Sequence, residues 1–124
     1  MNILILISLL KNIKMYRNLV EAVQSALEQI FNEKRHADKV IEQVLKQNPK
    51  WGSRDRRFIA ETTYEMVRWW RLLTEISVLE FKDSKYSGET FWPLFAAWST
   101  INEDEVPPWG EFESINPEKI LLRL

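Results

Sequence analysis

The chain has 124 residues, of which 45% are apolar and 12% aromatic, so it is long enough for one domain with a hydrophobic core. The absence of cysteine excludes disulfide bonds, thiolate zinc sites and a cysteine nucleophile, and a single histidine argues against a metal site. The net charge is -1, but residues 1–74 carry 13 Lys and Arg against 8 Asp and Glu, whereas residues 75–124 carry 4 against 10. An anion-binding surface is therefore expected in the first part of the chain.

The chain begins with an apolar run, residues 1–10, that is too short to span a bilayer. It also lacks the charged start and the cleavage site of a signal peptide. Two interpretations remain open for residues 1–15: an extension that packs on the body as a helical turn or strand, or an upstream start codon with the natural start at Met15. We expect no membrane insertion and a cytoplasmic location.

Three amphipathic helices are predicted in the first part of the chain, over residues 16–32, 36–47 and about 53–73. Their apolar residues recur every three or four positions. Proline at position 49 ends the second helix. Ser53 is the expected N-cap of the third, and its buried stripe should include residues 59, 62, 63, 66, 67, 70 and 73, widened by Phe58 and Trp69.

Shorter helices are predicted in the second part of the chain. A helix over about 74–80 and a polar loop over 82–88 precede a helix that starts near Thr90, with Pro93 in its first turn. Residues 102–113 are predicted to be an acidic linker. Asn116 and Pro117 then start a last helix, which breaks off at the end of the sequence as if a further part of a longer protein followed.

A dense group of basic residues surrounds the start and the end of the third predicted helix. It consists of Lys46, Lys50, Arg54, Arg56, Arg57, Arg68 and Arg71. Arginine forks and the free amides of a helix start suit phosphate oxygens, so this group is the candidate RNA-binding site. The competing interpretation is a solvated face with intrahelical ion pairs, such as Arg57 with Glu61 and Glu65 with Arg68.

The chain resembles NusB-like helical domains in its segment Asp55-Arg56-Arg57-Phe58-Ile59, followed by Tyr64, Val67 and Arg68. The resemblance covers roughly residues 16–75. Such domains occur as antitermination and ribosomal-RNA processing factors and at the N-terminus of RNA cytosine-5 methyltransferases. It implies structural roles for Arg56 and Arg68 and phosphate contacts for Arg54 and Arg57. Glu65 departs from the glycine that the family usually has there.

The helical patterns predict an all-α fold, and the resemblance implies a NusB-like bundle of five or six helices over residues 16–101. A four-helix bundle of different topology is the alternative. It implies a non-catalytic module that positions structured ribosomal RNA for a methyltransferase. The family's S-adenosylmethionine belongs to a separate catalytic domain, so no cofactor and no catalytic residue are expected in this chain. The rival hypothesis is a protein-interaction module, docking through Trp109, Phe112 or Leu121 to a catalytic domain or another protein. The oligomeric state stays open.

Tryptophan is the other unusual feature, with six residues in 124. Tryptophan can stack on single-stranded bases. Aromatic residues at helical spacing belong mostly to a core, however, so most of these six are predicted to be buried. Trp51 and Trp109 lie in predicted connections and are the best candidates for base stacking.

Overall fold

The fold is all-α, as predicted. The computed structural model describes residues 17–77, 88–102, 104, 106, 108–112 and 115–122, and within them it has six α-helices and no strand. The helices are α1 (Arg17–Asn32), α2 (Ala37–Lys46), α3 (Ser53–Arg68), α4 (Trp70–Ile76), α5 (Gly88–Ile101) and α6 (Pro117–Leu122), with a 3-10 turn at Gly110–Phe112. The predictions for residues 1–15 and for residues 82–87 of the polar loop lie outside the described residues.

One continuous core joins these helices. α1 packs mainly against α3 and α2, and α5 packs mainly against α6 and α4. The fully buried large side chains are Leu19, Val20, Val23, Leu27, Val40, Val44, Ile59, Met66, Leu73, Ile76, Phe91 and Leu94. No helix in the described part of the chain is both long and apolar enough to cross a membrane.

The first two helices match the sequence predictions to within a residue at each end. Their apolar stripes face the core, because residues three and four apart share one face of a helix. After α1 the chain turns at Lys34, whose φ of 53° lies in the left-handed region. α2 stops at Lys46, before the Asn48-Pro49 pair that was expected to end it.

The third helix begins at Ser53, as predicted, but its N-cap residue and its end differ from the prediction. Gly52, in an extended conformation, occupies the N-cap position in place of Ser53, and its carbonyl accepts the Arg56 N–H at 3.0 Å. The helix ends at Arg68 because Trp69, at φ -103° and ψ 18°, leaves the helical region. The helix predicted over 74–80 overlaps α4, which begins at Trp70 and ends at Ile76. Residues 78–80 of that prediction lie outside the described residues.

The prediction for α5 is also wrong at its start. The helix begins at Gly88, so Thr90 is its third residue rather than its cap. Pro93 consequently lies inside the helix instead of in its first turn. Proline has no N–H, so one hydrogen bond of the ladder is missing there.

The segment after α5 packs on the same core as the other helices. Phe112 of the 3-10 turn and Ile120 of α6 are only 5% and 4% exposed. Asn116 caps α6 as predicted, because its Oδ1 accepts the Glu118 N–H at 2.9 Å. Leu121 and Leu122 of α6 remain exposed.

Arg17, at the start of α1, holds this segment in place. Its guanidinium lies 5.1 Å from the ring centroid of Trp92 and 4.9 Å from that of Trp109. It also donates two hydrogen bonds to the Glu111 carboxylate, one of them at 2.8 Å, and one to Glu21. We call Arg17, Trp92, Trp109 and Glu111 the Arg17 clamp. The hydrogen bonds from Arg17 lower the pKa of Glu111 to about 2.

Candidate nucleic-acid interface

The seven predicted basic residues fall into two groups at opposite ends of α3. The first group is Lys46, Lys50, Arg54, Arg56 and Arg57, and the second is Arg68 and Arg71. At about 1.5 Å per residue, Arg54 and Arg68 are roughly 21 Å apart along the helix axis. The structure thus provides two basic surfaces where the sequence predicted one.

Within the first group, Arg56 has a structural role, which is one of the two roles expected for it. Its side chain is partly buried, and Nη1 donates to the backbone oxygen of Leu45 at 3.2 Å. That oxygen belongs to the last turn of α2, where carbonyl groups lack a partner inside the helix. Arg56 therefore joins the end of α2 to the start of α3, and the remaining cations of this group lie along the chain at the same junction.

The other four cations of the first group are exposed. Lys46 pairs with Glu42 at 3.0 Å, and its hydrogen bond lowers the pKa of that carboxyl. Arg57 forms no ion pair within the described residues. Nothing lies within 4 Å of the place where a side chain at Gly52 would begin, so the start of α3 is open. The positive end of the helix dipole adds to the cationic surface.

The intrahelical ion pairs of the competing interpretation do not form among the described residues. Arg57 does not pair with Glu61, and Glu65 does not pair with Arg68. Glu65 instead accepts the indole N–H of Trp69 at 3.2 Å. Arg57 and Arg68 are therefore not neutralised by the acidic residues on their own helix.

The second group lies beside an exposed tryptophan. The Arg68 guanidinium is 5.3 Å from the ring centroid of Trp69, and the Trp69 residue is 45% exposed. Arg71, also exposed, has no carboxylate partner in the described part of the chain. The expectation that Trp69 widens the buried stripe is wrong. Trp51 and Trp109, the two predicted candidates for base stacking, are partly buried and pack on the core.

A pocket of about 170 Å³ opens beside Trp69, between the junction of α3 with α4 and the end of α5. Its walls are predominantly apolar, with two polar residues among them. The lining residues are Glu65, Trp69, Leu72, Leu73, Trp98, Ile101 and Asn102. Asn102 donates through Nδ2 to the Trp98 carbonyl at 3.0 Å, which leaves its Oδ1 as an acceptor. The pocket therefore combines an exposed indole with two oxygen acceptors.

Sequence reasoning missed Trp69, Glu65 and Asn102 as a group. One available signal was the Trp69-Trp70 pair, because adjacent residues of a helix point about 100° apart and two large rings cannot share one buried face. Trp70 takes the inner position and stacks on Phe31 of α1, with ring centroids 4.0 Å apart. Asn102 lies far away in the sequence, so nothing in the pattern connected it to Trp69.

No family model, no curated protein and no solved structure matches this chain. The resemblance to NusB-like domains therefore stays a prediction. Among the described residues, no group of three or more acidic or histidine side chains is arranged to hold a metal ion. The two basic surfaces and the pocket are the features of the described residues that can bind a ligand.

Proposed function

We propose that this chain is a non-catalytic, RNA-binding helical module that holds structured RNA through phosphate contacts at the start of α3. The observation that carries the proposal is the position of four exposed cations where α2 meets α3: Lys46, Lys50, Arg54 and Arg57. Arginine and lysine around the open start of a helix suit phosphate oxygens. Contacts of this kind favour the backbone over the bases, so the affinity is largely independent of sequence.

The two basic surfaces favour an extended anion over a small one. A separation of roughly 21 Å is too large for one phosphate group to contact both Arg54 and Arg68. A nucleic acid repeats its phosphates along its length and reaches both surfaces in a single bound arrangement. The likeness of residues 55–68 to the NusB-like pattern supports ribosomal RNA as the class of ligand and a methyltransferase domain as the partner that would use S-adenosylmethionine.

The test is binding of a structured ribosomal-RNA fragment at two salt concentrations, with Arg54→Glu/Arg57→Glu as the variant. The matched control is Lys39→Glu/Lys119→Glu, which makes the same change in net charge at two exposed lysines outside the seven. We expect the first variant to lose at least tenfold in affinity and to reduce the salt slope by roughly 1.5. Equal losses in both variants would show that net charge alone attracts the RNA and would contradict the proposed site.

The second candidate function is a protein-interaction module, and it is favoured by α6. Leu121 is 51% exposed and Leu122 is 86% exposed, an uncommon position for adjacent leucines. Phe112, one of the expected docking residues, is buried and thus not available to a partner. Absence of RNA binding at low salt would favour this alternative.

A further inference from the structure

We propose that the pocket beside Trp69 takes one unpaired nucleobase that carries an exocyclic amino group, while Arg68 and Arg71 contact the adjoining phosphates. The inference rests on the proposed RNA-binding function and adds to it a second contact region at the other end of α3. We call Trp69, Glu65, Asn102 and the apolar residues that line the pocket with them the Trp69 pocket.

The size of the pocket suits a single planar ring. Its volume of about 170 Å³ is close to the roughly 150 Å³ of a protein cavity that accepts benzene. Leu72 and Ile101 provide apolar walls, and Trp69 provides an exposed indole. Stacking on such a ring is a general way for proteins to hold single-stranded bases, since every base has a flat π face.

The charges around the pocket favour a nucleic acid over an apolar side chain of a protein. Arg68 and Arg71 are three residues apart, on one side of a nearly continuous helix, because Trp69 still accepts the Leu73 N–H at 2.9 Å. Neither arginine forms an ion pair among the described residues. A base in the pocket would place its phosphates near these two cations, whereas an apolar side chain would leave them unused.

The polar groups of the pocket select among the bases. Glu65 has a second carboxylate oxygen besides the one bound to the Trp69 indole, and Asn102 presents Oδ1. Both groups accept hydrogen bonds. Cytosine, adenine and guanine offer an exocyclic amino group as donor, as a glutamate accepting from cytosine N4 illustrates. Uracil has no such amino group, so the pocket should discriminate against it.

The experiment compares the affinities of labelled ten-nucleotide oligo-C, oligo-U and an abasic ribose-phosphate chain by fluorescence anisotropy. We expect oligo-C to bind about tenfold more tightly than the abasic chain and about fivefold more tightly than oligo-U. Trp69→Ala should remove most of the difference in affinity between oligo-C and the abasic chain. Tyr64→Ala, at an exposed aromatic residue of α3 that does not line the pocket, should leave the difference between oligo-C and the abasic chain unchanged.

Glu65→Gln tests the selection separately. Glutamine removes a negative charge, so the affinity for every chain should rise. Its amide also adds a hydrogen-bond donor, so the ratio of the oligo-C affinity to the oligo-U affinity should fall towards one. An equal affinity of the wild-type protein for all three chains would overturn the pocket inference while leaving the phosphate-binding proposal in place. Failure of all three chains to bind would also overturn the pocket inference, while binding of the structured ribosomal-RNA fragment decides the phosphate-binding proposal separately. A preference for oligo-C that survives Trp69→Ala would exclude the pocket as its source.

Discussion

Arginine, tryptophan and glutamate meet in two regions of this molecule, and their contacts differ. In the Arg17 clamp the guanidinium bonds to Glu111 and lies against two indole rings, Trp92 and Trp109. In the Trp69 pocket the glutamate bonds to the indole N–H instead, and the neighbouring arginine contacts only the ring among the described residues. Here Trp69 is 45% exposed. The same three residue types therefore join distant segments in one place and leave the indole exposed in the other.

Geometry explains the difference between the two regions. The clamp joins groups from α1, α5 and the 3-10 turn, and its rings continue into an aromatic cluster in which Trp109 stacks on Phe112 at 5.9 Å. At the pocket, Glu65, Arg68 and Trp69 instead come from a single turn, and the indole stays exposed although residues of α5 line the pocket with it. Contacts between distant segments stabilise the folded state, whereas contacts within one helical turn contribute only a few tenths of a kcal/mol.

The largest expected difference is between two tryptophan variants. Trp109→Ala removes a ring that packs against Trp92, Phe112 and the Arg17 guanidinium, so we expect a loss of about 2–3 kcal/mol in the free energy of unfolding. Trp69→Ala removes an exposed ring and should cost less than about 1 kcal/mol. Urea unfolding of both variants measures the two losses, and similar values would contradict the distinction between clamp and pocket.

A smaller difference is expected between the arginines. Arg17→Met removes the hydrogen bonds to Glu111 and the contacts with two rings, and we expect it to cost about 1–2 kcal/mol. Arg68→Met keeps a side chain of similar length and should change the stability by no more than about 0.5 kcal/mol. Thermal unfolding followed by circular dichroism compares the pair, and a larger loss for Arg68→Met would reverse the assignment of roles.

The smallest expected effect is the dependence of the clamp on pH. Hydrogen bonds from Arg17 lower the pKa of Glu111 from its ordinary 4.5 to about 2 in the folded protein. The stabilisation is therefore fully present above pH 4.5 and is lost as the pH falls towards about 2. Because the Glu111 side chain is 30% exposed, we expect a contribution of only about 1 kcal/mol.

The unfolding free energies of the wild-type protein and of Glu111→Gln, measured between pH 6 and about pH 2, provide this test. The difference between the two unfolding free energies should shrink as the pH falls and Glu111 becomes protonated. The double variant Arg17→Met/Glu111→Gln should show the same reduced pH dependence as the single glutamine variant. A constant difference across this range would show that protonation of Glu111 does not weaken the clamp.

The sequence predicted the helices best where one amphipathic stripe decides them. α1 and α2 agree with their predicted bounds because a polar or proline-containing break follows each stripe. The break at Trp69 was not predictable in this way, because the apolar spacing continues through it from Met66 to Trp70 and Leu73. The sequence predicted the two basic surfaces as one group, because their residues are close together in the sequence. In the structure they lie at opposite ends of α3.

By itself, the sequence determined the all-α class, the buried faces of the first helices and the identity of the cationic residues, because these follow from local periodicity and composition. Only the tertiary structure decided which side chains are held by contacts with distant segments and which remain exposed. Arg17 and Glu111 are 94 positions apart in the chain, and Trp69 lies over a pocket completed by residues of α5 and by Asn102. The physical reason is that a side chain's partners are set by the helices that pack around it, which no local pattern specifies.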